Sequence, residues 1–110
     1  MKGSPRLSVI VSTFDRPDAL TFSLRGIQES LVPAEVGLDV VVADDGSGPE
    51  TADAVERFRA QAPFPIRHER HEHEGFRLAA IRNRAAAAAR GDVLVFLDGD
   101  CVLDPRALQL

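Results

Sequence analysis

LDVVVADD, residues 38–45, decides the fold. Its apolar positions run on without alternation, and three successive valines favour a strand. A strand apolar on both faces is buried on both, as in a parallel sheet covered by helices. After it, GSGP (46–49) reads as a turn, and ETADAVERFRAQA (50–62) predicts a helix with Ala54, Val55, Phe58 and Ala62 inward. Before it, LSVIVST (7–13) is a second strand of the same kind. Pro17 then sits at a helix N1 position with Asp15 as its cap. Leu20, Leu24, Ile27 and Leu31 share one face of a helix over 19–31, which Pro33 ends.

Further along, PFPIRHER (63–70) is a weaker third strand and HEHEG (71–75) a polar loop. FRLAAIRNRAAAAAR (76–90) is a strong helix former closed by Gly91 at C′, with its alanine run as a small-residue packing face. DVLVFLD (92–98) is the fourth strand, and Pro105 opens a further helix. The order β-α-β-α-β-α-β implies an α/β domain with a mainly parallel sheet, Rossmann-like in layering, over residues 1–110.

The bulk numbers agree. The chain has 110 residues, 45% hydrophobic and 27% charged, with no internal repeat. These values suit one small globular domain rather than a disordered chain. A net charge of −4 argues against nucleic-acid binding by phosphate neutralisation. No apolar run reaches membrane-span length, and the N-terminus does not read as a signal peptide. The single cysteine, Cys101, excludes an internal disulfide framework and fits a cytoplasmic protein.

Ligands of such sheets bind beyond the carboxyl ends of the strands. Those ends read Ser12-Thr13-Phe14-Asp15, Asp44-Asp45-Gly46-Ser47, the His/Glu loop, and Asp98-Gly99-Asp100. Two acidic pairs in one crevice call for compensation, and a hard divalent cation is the simplest. Asp-Gly after a strand is also an ordinary turn. Neither G-x-G-x-x-G nor a P-loop is present. A phospho-receiver domain would need a later lysine, and none follows Lys2. A haloacid-dehalogenase-type phosphatase would use Asp98 as nucleophile and Asp100 as acid/base, but it leaves Asp44-Asp45 without a role.

Four strings in register, LSVIVSTFDRPDAL, VVVADDGS, EGFRLAAIRNRA and GDVLVFLDGDC, resemble family 2 glycosyltransferases of the GT-A fold. The EGFRLAAIRN form is most similar to bacterial polysaccharide and chondroitin-type synthases. The resemblance covers residues 7 to about 105 and implies the nucleotide-binding half of the catalytic domain. The family transfers a sugar from a nucleotide diphosphate sugar, usually a UDP-sugar, to an acceptor hydroxyl with inversion. By that resemblance Asp100 binds Mn2+ or Mg2+ directly, with Asp98 near the metal or ribose and Gly99 letting the backbone approach the nucleotide. Asp45 accepts a hydrogen bond from the base, with Asp44 sharing this or orienting the loop. Ser12, Thr13 and Phe14 hold the base, Phe14 by stacking, unless Phe14 is ordinary core. Arg77 reaches base or phosphate. Arg82 contacts the ligand or braces the loops behind it. Arg16 reaches phosphate or is solvated.

A zinc site in HERHEHE (68–74) lacks a third spaced ligand, so a solvated loop or one bordering the donor pocket is expected. Cys101 is expected to be a small packed thiol. The family's general base and acceptor site belong to a C-terminal half beyond Leu110, so the fragment is expected to bind a donor without turnover. Uncovered apolar surface is expected to promote self-association. A non-catalytic nucleotide-binding or assembly module is the remaining alternative.

Overall fold

The structure, a computed structural model, describes residues 6–30, 36–75, 77–106 and 108. Its elements are β1 (Arg6–Thr13), α1 (Pro17–Gln28), β2 (Gly37–Asp44), α2 (Pro49–Arg59), β3 (Ile66–Arg70), α3 (Leu78–Ala88) and β4 (Val93–Asp98). All strand pairs are parallel, in the order β3-β2-β1-β4.

The strand period of two sorts the core onto two faces. Leu7, Val9 and Val11 of β1 and Val40 and Val42 of β2 point one way, packing with Leu20, Leu24 and Ile27 of α1 and Val55 and Phe58 of α2. Ile10, Val41 and Ala43 point the other way and meet Ile81 and Ala85 of α3. The valine run is therefore covered on both sides, as its continuity requires. Each fully buried aliphatic side chain contributes about 1.5–3 kcal/mol. Of the alanine run, Ala85 is buried and Ala86 and Ala89 pack beside it, while Ala87 is exposed.

Several local expectations are corrected. Asp15 does not cap α1: Arg16 is the N-cap, without a side-chain cap bond. Asp15 instead takes φ 49, and its carboxylate accepts a hydrogen bond from the Gly48 N–H at 2.7 Å. Its own N–H donates to Ser47 Oγ at 2.8 Å. It stitches the β1–α1 turn to the β2–α2 turn. Gly91 does not close α3, which ends at Ala88 with Ala89 extended. A Cβ on Gly91 would lie 2.6 Å from Ser8 N, so the glycine lets the chain run against β1. The helix begins at Leu78 rather than 76, and β3 at Ile66 rather than 63. α1 ends at Gln28; Leu31 and Pro33 lie outside the described residues. Beyond Pro105 the described residues show turns and no helix.

β4 is an edge strand. Val93, Leu94 and Phe96 are exposed on it, Phe96 by 53%. Among the described residues, no helix is long and apolar enough to cross a membrane.

Candidate functional site

α1 and α2 carry the chain from β1 to β2 and on to β3 across one face. α3 brings it back over the other face to β4, on the far side of β1. The carboxyl ends of β1 and β4 thus flank a topological switch point, where open α/β sheets bind ligands. A cleft of about 540 Å³ lies there. β1 and the turn after it give Ser12, Thr13, Phe14 and Arg16; α3 gives Leu78, Ala79 and Arg82; β4 and its turn give Asp98, Gly99 and Asp100.

Arg82 organises the β4 end. Its Nη2 lies 2.5 Å from Asp98 Oδ1 and 3.3 Å from Ser12 Oγ, and Ser12 Oγ donates to the same Asp98 oxygen at 3.2 Å. Arg82 thus places a guanidinium charge against the Asp98 carboxylate. Arg82 braces a carboxylate rather than loop carbonyls. Asp98 remains 60% exposed and Asp100 is exposed, so both keep oxygens toward solvent. Two buried polar atoms of cleft residues, Thr13 Oγ1 and Arg82 Nε, have no hydrogen-bond partner among the described residues.

Gly99 lines the cleft and also packs against β1. A Cβ on it would lie 2.3 Å from the Ser12 carbonyl O and 3.3 Å from Thr13 Cβ. Its bare backbone packs on the end of β1 and locks the Asp-Gly-Asp turn there. Cys101 is exposed rather than packed. Its thiol pKa is raised, by such desolvation as the turn imposes and then by the Asp100 and Asp98 carboxylates.

Asp44 and Asp45 form a second cluster at the end of β2, where the Asp45 N–H donates to the Thr13 carbonyl at 3.0 Å. Asp44 is fully buried, with His68 Nε2 at 2.7 Å from Oδ2 and the Ser47 N–H donating to Oδ1 at 2.9 Å. Burial alone would raise its pKa, but the hydrogen bonds from His68 and Ser47 outweigh it and hold the carboxyl below its ordinary value. Asp45 has His71 Nε2 at 2.6 Å from Oδ1, and Oδ2 accepts the Arg77 N–H at 3.2 Å. The Asp45 side chain is 1% exposed. Arg77 turns its guanidinium to Glu74 at 3.0 Å. Its backbone, not its charge, serves this cluster.

All three histidines gather here, so of the two expectations for this loop, solvated or bordering the donor pocket, the side chains match the second. His68 lies in β3, and the ring of His73 stacks on Phe14. Phe14 is a partly exposed platform rather than core. Sequence reasoning missed His71 and His73, along with Leu78 and Ala79 on the cleft wall. The alternating histidines of HEHEG were a signal, but only folding shows what they face. No group of three or more His, Cys, Asp or Glu side chains among the described residues is arranged to hold a metal. Mg2+ and Mn2+ are commonly held by one or two carboxylates, with substrate phosphate and water completing the shell. Asp98 and Asp100, solvent-facing hard oxygens at the cleft mouth, fit that kind of site.

The sequence model of Glycosyl transferase family 2 matches residues 8–110. The chain belongs to that family. This removes the phosphatase reading of Asp98. The family 2 chain is 34% identical over 105 residues to a validoxylamine A glucosyltransferase from Streptomyces hygroscopicus subsp. limoneus, covering 96% of this chain and 22% of that protein. It superposes on S. aureus TarS in complex with UDP at a TM-score of 0.74, with 27% identity, over 94% of this chain and 30% of that one. The mannosyltransferase PcManGT from Pyrobaculum calidifontis, in complex with GDP-Man and Mn2+, gives a TM-score of 0.77 with 27% identity, over 94% and 30%. The family 2 chain thus spans less than a third of the length of each of these proteins. Over that part it shares the GT-A architecture of its solved relatives.

Proposed function

We propose that the cleft between β1, α3 and the Asp98-Gly99-Asp100 turn binds a nucleotide diphosphate sugar, with UDP-sugar as the donor. The single observation that carries this is the make-up of the cleft mouth. Two solvent-facing carboxylates, one steadied by Arg82, stand beside a buried Thr13 hydroxyl that has no partner among the described residues. Asp100 and Asp98 would hold Mn2+ or Mg2+, which would stabilise the charge that develops on the departing diphosphate.

The chain's own groups do the positioning. Thr13 Oγ and Ser12 offer hydroxyls to the donor, Phe14 offers a ring face to the base, and Arg16 and Arg82 offer cationic charge to phosphate. Among the described residues the Asp45 carboxylate accepts two hydrogen bonds, where a carboxylate has room for about four. It can also accept from a base N–H once the loop over it yields. In the whole protein we expect transfer with inversion to an acceptor hydroxyl, using a general base from outside this chain. The apolar edge of β4 supports self-association of the isolated chain, which sedimentation across a concentration series would reveal as a rise in mass.

Calorimetric titration tests the donor reading. UDP should bind in the presence of Mn2+, and Asp100→Ala should abolish the metal-dependent part. No UDP binding at millimolar ligand, with or without Mn2+, would sink the reading.

A further inference from the structure

His73 belongs to a polar loop and is 40% exposed, yet its ring lies flat on Phe14. The centroids are 4.2 Å apart and the planes 15° apart. Its Nδ1 sits 3.0 Å from the Asp45 carbonyl oxygen and 3.9 Å from Asp45 Oδ2. A planar nitrogen heterocycle, stacked on an aromatic ring with a ring nitrogen at a polar partner, has the contacts of a bound nucleobase. His71 takes the rest of the site, closing over Asp45 Oδ1 at 2.6 Å. The two groups offered to a donor's base, the Phe14 ring and the Asp45 carboxylate, are thus both engaged by histidines of one loop.

No space is left between that loop and the β2 end. Gly46 has φ 90, and a Cβ there would lie 2.4 Å from His73 N. On the far side the loop is open: Glu72, Glu74 and Gly75 are exposed, and a Cβ on Gly75 would meet nothing within 4 Å. Beyond the histidines the loop is tied only by exposed ion pairs among the described residues, Glu74 with Arg77 and Glu72 with Arg70, which solvent screens.

We propose that His73 occupies the nucleobase position in the free protein and that a nucleoside diphosphate binds by displacing it. His73 is then a determinant of donor affinity. The inference rests on the donor-site reading above. Since only the fraction of molecules with the ring displaced is competent, apparent affinity is lowered by that fraction.

Calorimetry with UDP and Mn2+, on the full chain and its His73→Ala variant, tests this. Loss of one aromatic stack should tighten UDP by about two- to tenfold. Inorganic pyrophosphate, which has no base, should bind both proteins alike. His73→Ser, which also lacks the ring, guards against a folding defect peculiar to alanine. In the wild-type protein, proton NMR of the three histidine Hε1 signals gives an independent reading. UDP should move the His73 signal out of the Phe14 ring current and leave the His68 signal in place. Unchanged or weaker UDP binding in the variants, an equal gain for pyrophosphate, or an unmoved His73 signal would overturn the proposal. If wild type binds neither UDP nor pyrophosphate, the donor-site reading has failed and this falls with it. If wild type binds UDP and the variants bind it no better, this proposal alone fails.

Discussion

Replacing Gly99 with alanine should damage both stability and site at a single atom's cost. The added Cβ would lie 2.3 Å from the Ser12 carbonyl oxygen and 3.3 Å from Thr13 Cβ. A carbon and a non-bonded oxygen need roughly 3 Å or more, so the gap must open by the better part of an ångström. Neither partner gives way cheaply. Ser12 is paired on both sides, with Ala43 of β2 and Asp98 of β4. Overpacking of this kind costs about 1–3 kcal/mol. With a urea slope of about 1–3 kcal/mol per molar, the unfolding midpoint should fall by roughly 1 M. Gly75→Ala is the internal comparison: its φ is 69 but the space is open, so only left-handed backbone strain of about 1–2 kcal/mol applies. The two variants should also part in function. Gly99→Ala displaces the Asp98–Asp100 turn and should weaken Mn2+-dependent UDP binding, whereas Gly75→Ala leaves that turn alone. Urea unfolding followed by circular dichroism, with UDP titration of the same samples, reads both. A Gly99→Ala protein within about 0.5 kcal/mol of wild type would refute the packing argument.

Thr13→Val should leave stability unchanged or raise it by up to about 1 kcal/mol, because the hydroxyl has no partner among the described residues to lose. Its UDP affinity should nonetheless drop, and equal affinity by calorimetry would remove Thr13 from the donor site. Arg82→Met should cost no more than about 1 kcal/mol in urea unfolding, since the half-exposed ion pair with Asp98 is solvent-screened. UDP binding should weaken far more, and a variant that binds like wild type would confine Arg82 to structure. The Asp44 carboxyl is held below its ordinary value in the folded chain, so its share of stability is present above the unfolded-state pKa of about 3.9 and lost as pH falls through the lower folded value. Acid unfolding of Asp44→Asn should lack that component, and identical slopes below about pH 4 for the two proteins would contradict it.

The layered fold was legible because its signals are local. The unbroken valines of β2 and the Leu20–Leu24–Ile27 face of α1 each report their burial within a dozen residues. The acidic strand ends were legible for the same reason, since the carboxyl-end rule needs only the element order. What stayed hidden depends on which strands are neighbours. Arg82 finds Asp98, and Ser12 finds Asp98 across 86 positions, only because β4 lies beside β1. Asp15 looked like a helix cap because its real partners, Ser47 and Gly48, lie on another turn. Gly91 looked like a helix-closing glycine and Gly99 like one that admits a nucleotide, yet each also makes room for the backbone of β1. The histidine loop was left open between solvated and pocket-bordering because hydropathy cannot show that two buried carboxylates wait across the turn.

The strand order also fixes when the site can come into being. β1, β2 and β3 are joined by short helical crossovers and can pair in sequence as the chain lengthens. The wall opposite β1 belongs to β4, whose strand ends at Asp98 in a chain of 110 residues. Its pairing with β1 closes the longest loop in the sheet, the slowest kind of contact to form. A ribosome-bound chain can hold most of its core while its donor cleft has only one side. Ligand that needs both walls will stabilise the pairing of β4 with β1. Protection of the β4 amides from hydrogen exchange should then rise with ligand more steeply than that of β2, making β4 the more sensitive reporter of occupancy.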